Sequence, residues 1–137
     1  MKELDELDKQ IKLFFNSEAF GVIGASANRD KYGNKVVRCY LQHQKKIYPV
    51  HANEKIIEGL NCISKLDELP EQVKSISIIT PPKVTEKIVK QAIAKGIKNI
   101  WMQPGAEDPN AVLECKKNNI NIISGGPCML VTLGYKE

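Results

Sequence analysis

Residues 19–30, A-F-G-V-I-G-A-S-A-N-R-D, set Gly24 at the end of a short apolar run and follow it with small and polar residues. The chemistry that this order supports is anion binding. Gly24 can take a backbone conformation closed to other residues, and Ala25 and Ser26 are small enough for a ligand to approach the main chain. The unpaired N–H groups that open a following helix, together with its dipole, then favour a phosphate. A tight turn after a buried strand wants glycine as well, so the motif alone leaves both readings open. Arg29, Lys31 and Lys35 flank the turn, either to meet further phosphate charge or as a solvated face.

Other chemistry is harder to find. Against the nicotinamide fingerprint G-x-G-x-x-G, Ser26 and Arg29 stand where the second and third glycines belong. After the second predicted strand the chain offers His51, Ala52 and Asn53 where an acid would grip a ribose, with Glu54 displaced further on. NAD is disfavoured on both counts. Neither His43 nor His51 is placed as a base beside a nucleophile and no G-x-S-x-G or Walker sequence occurs, so no catalytic residue is assigned. Cys39, Cys62, Cys115 and Cys128 form no C-x-x-C pair and the two histidines lack metal-site spacing, so no metal is expected. Cys128, just beyond the last strand, reads first as a small buried hydrophobe and second as a group facing a ligand thiol.

The elements that position these residues follow from periodicity. Leu4, Leu7, Ile11 and Phe14 or Phe15 predict an amphipathic packing helix over residues 3–16. A strand over 19–23, a helix over 32–43 and a strand over 46–50 come next. Only a short third strand fits around 61–63, and Ser64 is expected to cap a brief helix that Pro70 ends, with Asp67 at the capping-box spacing. Residues 75–80 predict a central fourth strand, and Pro81 and Pro82 open a helix that Gly96 stops. A strand over 99–102, a helix from Asp108 and Pro109, and a strand over 120–124 complete the chain. Strand and helix alternate throughout, which implies a single α/β domain over 1–137, three layers deep, with a doubly wound parallel sheet of Rossmann-like order 3-2-1-4-5-6. Ligands of such sheets lie beyond the carboxyl ends of the strands. The candidate binding residues there are Gly24, Ala25 and Ser26, with Arg29 and Lys31; Val50 and His51; Thr80, Pro81 and Pro82; and Gln103, Pro104 and Gly105.

Composition sets outer limits. The chain has 137 residues, 42% of them apolar and 26% charged, with a formal net charge of +4. No apolar run nears the roughly 20 residues that span a bilayer, so no membrane partner is expected. The acidic beginning M-K-E-L-D-E-L-D is unlike a secretory signal, and with four thiols in no dense framework it leads to a cytoplasmic assignment. The lysines are scattered without aromatic interleaving, so nucleic acid is not expected and a small anionic ligand suits the charge.

From about Phe14 to Leu133 the sequence resembles the CoA-binding domain family, Rossmann-like proteins similar to the amino-terminal domain of the succinyl-CoA synthetase alpha subunit. G-V-I-G-A-S, K-K-I-Y-P-V, S-K-L-D-E-L-P, I-I-T-P-P and N-I-W-M-Q-P-G carry the likeness. The resemblance implies CoA or acyl-CoA as ligand, with Gly24, Ala25 and Ser26 serving the phosphates. It implies Val50 and His51 at the adenosine end and Thr80, Pro81 and Pro82 along the extended arm. The family's V-N-P after the second strand is Val50, His51, Ala52 here. A chain ending at Glu137 is expected to lack the phosphohistidine and nucleotide regions of the larger synthetases. The resulting expectation is a CoA-thioester-binding carrier, sensor or partner subunit, capable of self-association, without a catalytic centre of its own. A nicotinamide-dependent oxidoreductase and a regulatory docking protein with a vestigial groove are the alternatives. Gly24→Asp is expected to cause a severe loss of CoA affinity with the fold preserved.

Overall fold

The computed structural model describes residues 5–137. Two residues of the predicted first helix, Glu3 and Leu4, lie outside them; within them α1 runs over Glu6–Phe14, capped by the Asp5 carboxylate, which accepts from the Asp8 amide at 2.8 Å. β1 (Ala19–Ile23), α2 (Tyr32–Gln42) and β2 (Ile47–Val50) follow close to their predicted bounds. β5 (Val73–Ile78), α3 (Pro82–Lys95), β6 (Asn99–Met102), α4 (Pro109–Lys117) and β7 (Asn121–Ile123) build the second half. The sheet is parallel, in the order β2-β1-β5-β6-β7.

That is the expected doubly wound order with its outermost member reduced to one contact. The predicted third strand contributes a single parallel bridge, Ile63 to Val50, with the Ile63 amide donating to the Pro49 carbonyl at 2.8 Å. The residues before it form a hairpin instead, β3 (Ile56–Ile57) and β4 (Leu60–Asn61). Glu58 and Gly59 turn it with φ of 48° and 80°, the left-handed pair that matches strand twist. The capping of residues 64–67 is also corrected. Leu66–Glu68 is one 3₁₀ turn without a side-chain cap, and the Ser64 hydroxyl donates to the Glu68 carboxylate at 3.1 Å, because Pro70 leaves no room for an α-turn in which Asp67 could reach back.

Side chains of the central strands alternate between two cores. Ile76, Ile78, Ile100 and Met102 face α3 and α4, while Phe20, Val22 and Trp101 face α1 and α2. The serines of β5 are buried on that second side and each is partnered: Ser75 donates to the Phe14 carbonyl and Ser77 shares a hydrogen bond with the Tyr40 hydroxyl, both at 2.7 Å. β5 begins and ends two residues before the predicted span, because Thr80 already belongs to the start of α3, its hydroxyl 2.8 Å from that of Thr85. A last helix that periodicity did not reveal, α5 (Met129–Leu133), packs on α2. No helix among the described residues is long and apolar enough to cross a membrane.

Candidate functional site

The β1–α2 connection is held by two close backbone approaches. Gly24 has φ of 95°, and a Cβ there would lie 2.2 Å from the Ile79 carbonyl oxygen. Gly33, in the first turn of α2, would place a Cβ 2.1 Å from the Gly24 carbonyl oxygen. Gly24 is therefore demanded by the neighbouring strand end before any ligand is considered. This corrects the expectation for Gly24→Asp: the added side chain collides with the Ile79 backbone, one residue past β5, so the fold would not be preserved. Gly33, unremarked in the sequence, performs the helix-to-turn packing usually given to a third fingerprint glycine.

Among the described residues, nothing accepts from the backbone N–H groups of Ala25, Ser26 and Ala27. The first turn of α2 adds the amides of Tyr32 and Gly33, which have no intrahelical acceptor, and no acid is present there. Polar main chain left in this way needs water or a ligand. Ala25 itself packs into the α2-side core, so it contributes main chain only.

A buried amide fixes the shape of this turn. Asn34 is fully buried; its Nδ2 donates to the Ser26 carbonyl at 2.9 Å and to the Glu58 carboxylate at 3.1 Å. Its Oδ1 accepts from Arg38 Nε at 2.7 Å, and Arg38 Nη2 donates to the Arg29 carbonyl at 2.7 Å. Ser26 Oγ and Asn28 Oδ1 accept from the amides two residues on, at 3.1 and 2.9 Å. Carbonyls are thereby drawn toward α2 at Ser26 and Arg29. Lys31 is exposed at the N-cap, whereas Lys35 turns to Glu137 at 3.1 Å.

Of the remaining candidates, five line two hollows, Gln103 is interior, and Pro82 and His51 line neither hollow. Thr80, Pro81, Pro104 and Gly105 share a hollow of about 290 Å³ beyond β5 and β6. Val50 lines another of about 220 Å³ with Ser64, Asp67 and the α3 residues Ile88 and Gln91. Pro82 is the exposed first residue of α3. His51 Nδ1 accepts from the amides of Asn53 and Glu54 at 3.0 and 2.9 Å, which places its ring proton on Nε2. Larger hollows of about 330 and 380 Å³ lie around Leu13 and Asn16, the first of them at the opposite ends of the strands, bordered by Lys74 and Lys98. Neither has a glycine turn or a helix start in its lining, so size does not decide the site.

A family model described as the CoA binding domain matches residues 18–134. The chain belongs to the CoA-binding domain family. This CoA-binding domain is 31% identical over 133 residues, 88% of the chain, to an ADP-forming acetate–CoA ligase II of Archaeoglobus fulgidus, of which it covers 20%. It is 31% identical over 88 residues to the alpha subunit of ADP-forming acetate–CoA ligase II of Pyrococcus furiosus, covering 64% of this chain and 19% of that protein. The chain thus spans about a fifth of the length of these curated relatives. A solved structure of a hypothetical protein from Pyrococcus furiosus superposes with a TM-score of 0.80 at 35% identity, over 84% of this chain and 98% of that one.

In this CoA-binding domain Gln103 is an interior hub. It is fully buried, and the Met129 amide, which can only donate, fixes the facing atom as Oε1 at 2.9 Å. The Tyr32 hydroxyl spends its proton on the same oxygen at 3.0 Å, so Cys128, 2.7 Å away, donates its thiol proton to Tyr32. Burial first, and then this contact, push the Tyr32 phenol far above its ordinary value, so it stays neutral. Gln103 Nε2 has no partner among the described residues. Cys128 is half-buried and Cys39 fully so; burial pushes the Cys39 thiol up to about 11. Asn34, Gly33 and Glu58 escaped the sequence reading. A glycine inside a helical pattern, which costs about 1 kcal/mol against alanine, was the available signal for Gly33; Glu58 is brought in only by the hairpin.

Proposed function

We propose that this chain binds CoA or an acyl-CoA across the carboxyl ends of its sheet and serves as a carrier, sensor or partner subunit. Membership of the CoA-binding domain family supports the ligand class. The observation that carries the placement is the row of amides at Ala25, Ser26 and Ala27, without protein acceptors, beside an acid-free helix start. Together they suit a pyrophosphate. In this reading Val50 and the Nε2–H of His51 serve the adenosine end, while Thr80, Pro81, Pro104 and Gly105 border the extended arm. Gly24 shapes the turn, Gln103 supports it from inside, and Pro82 starts the helix beside the arm. The bound molecule would supply a thiol or thioester; this chain's residues hold and orient it.

No acid, base and nucleophile converge at the turn among the described residues, and the Cys128 thiol is engaged in a hydrogen bond with the Tyr32 hydroxyl. A binding role without chemistry therefore fits better than catalysis. One relative, in Pyrococcus furiosus, is a ligase alpha subunit, which makes a separate partner enzyme the natural setting. Isothermal titration of the full chain with CoA, acetyl-CoA and NADPH is the direct test. Saturable binding of CoA or acetyl-CoA, with NADPH silent, is expected; binding of NADPH alone would reverse the reading.

A further inference from the structure

We infer that Arg29, held in place by Glu58, reads the phosphate ester on the ligand's ribose, so that the chain discriminates CoA from 3′-dephospho-CoA. The inference rests on the CoA reading above and adds the residues that set specificity within it. A CoA molecule carries two unlike anions: a bridging pyrophosphate, and a terminal phosphate ester that is close to doubly charged at neutral pH. Backbone amides suit the first. The second calls for a full cation, best a guanidinium offering two parallel donors.

Arg29 is built for that second task. Its Nε lies 3.4 Å from Glu58 Oε2, and its own carbonyl is gripped by Arg38 at 2.7 Å. The side chain is still 65% exposed, and its terminal nitrogens have no hydrogen-bond or ion-pair partner among the described residues. Glu58 thus takes one edge of the fork and leaves the other outward. Glu58 is itself fixed, by the fully buried Asn34 at 3.1 Å and by its place in the hairpin turn. The hairpin follows β2 directly in the chain, with Val50 and His51 at that strand's end, so in this reading the pair belongs to the adenosine end of the ligand. Lys35 and Arg38 are already engaged by Glu137 at 3.1 and 3.8 Å.

The test is titration of the full-length wild type, Arg29→Gln and Glu58→Gln with CoA and with 3′-dephospho-CoA, after thermal melts confirm that each variant folds. The wild type is expected to prefer CoA by about tenfold, the worth of one charge-assisted fork. Both variants are expected to bring that preference within about twofold while moving dephospho-CoA affinity less than about threefold. Equal wild-type affinity for the two ligands would overturn the inference and leave the CoA reading standing; binding of neither would remove both. Equal losses for both ligands in Glu58→Gln would mark a merely structural carboxylate. Tighter CoA binding in that variant would show Glu58 competing for Arg29, and either result overturns the positioning role.

Discussion

Asn34 joins more of the candidate site than any other single side chain, because one buried amide serves Ser26, Arg38 and Glu58 at once. Asn34→Ala strands three polar groups in a poorly hydrated place, and we expect it to cost about 2–3 kcal/mol in urea unfolding. A loss below about 0.5 kcal/mol would contradict that accounting. Gly33 tests a conflict of signs. Helix propensity alone makes Gly33→Ala stabilising by about 1 kcal/mol, whereas a Cβ set 2.1 Å from the Gly24 carbonyl oxygen forces the helix off the turn. Overpacking against backbone should win, giving a net destabilisation of about 2 kcal/mol by chemical denaturation. Gly33 was legible only as an oddity in a helix, since the atom it must avoid belongs to a residue nine positions earlier.

At the scale of elements, α1 is more than a cover. Phe14 is fully buried, edge-on to Trp101 at 5.4 Å, and the Phe14 carbonyl accepts from Ser75 in the central strand. Gln10 Nε2 donates to the Ile122 carbonyl of β7 at 3.0 Å, and Asn121 Nδ2 of β7 donates back to the Gln10 carbonyl at 2.9 Å. Phe14→Ala should therefore cost about 3–4 kcal/mol, read as a fall in thermal midpoint, whereas Leu13→Ala, at a position 53% exposed, should change it little. Over Glu6–Phe14 the helix that periodicity predicts buries Phe14 in the core on the α2 side of the sheet. The hairpin was not legible in the same way. Its strands are two residues each, too short for an alternation to register, and the signal that remained, Gly59, marked only a turn. Its tip nevertheless brings Glu58 to the β1–α2 turn, where it meets Arg29 and Asn34.

On the scale of the whole molecule, two cores flank one sheet, and each holds a buried thiol. Burial pushes Cys39 and Cys115 from 9.0 up to about 11 in the folded chain. A folded pKa raised above the unfolded one means that the stabilisation is complete below the unfolded value and is lost as pH climbs through the folded one. The thermal midpoint should thus hold steady up to pH 9.0 and fall between there and about 11. Melts at pH ~8 and ~10.5 check it, and a flat profile would mean that these thiols ionise equally in both states. Alkylation of the native protein should correspondingly label the half-buried Cys62 and Cys128 well before Cys39 and Cys115.

Periodicity, turn residues and caps act between neighbours in sequence, so the chain's own order was enough to determine the alternating elements, the parallel doubly wound sheet and the glycine turn ahead of α2. Pro82 at the start of α3 and Gly96 at its end, or Asp108 capping α4, needed no partner from elsewhere to be recognised. What depended on separation in sequence was decided by the tertiary structure alone: that Gly24 is imposed by the Ile79 carbonyl, that Gln103 looks inward to Tyr32 and Met129, and that Glu58 meets Arg29. Each of these rests on a contact between segments whose distance in space follows from the order of strands, and no local rule of composition or spacing encodes such a distance.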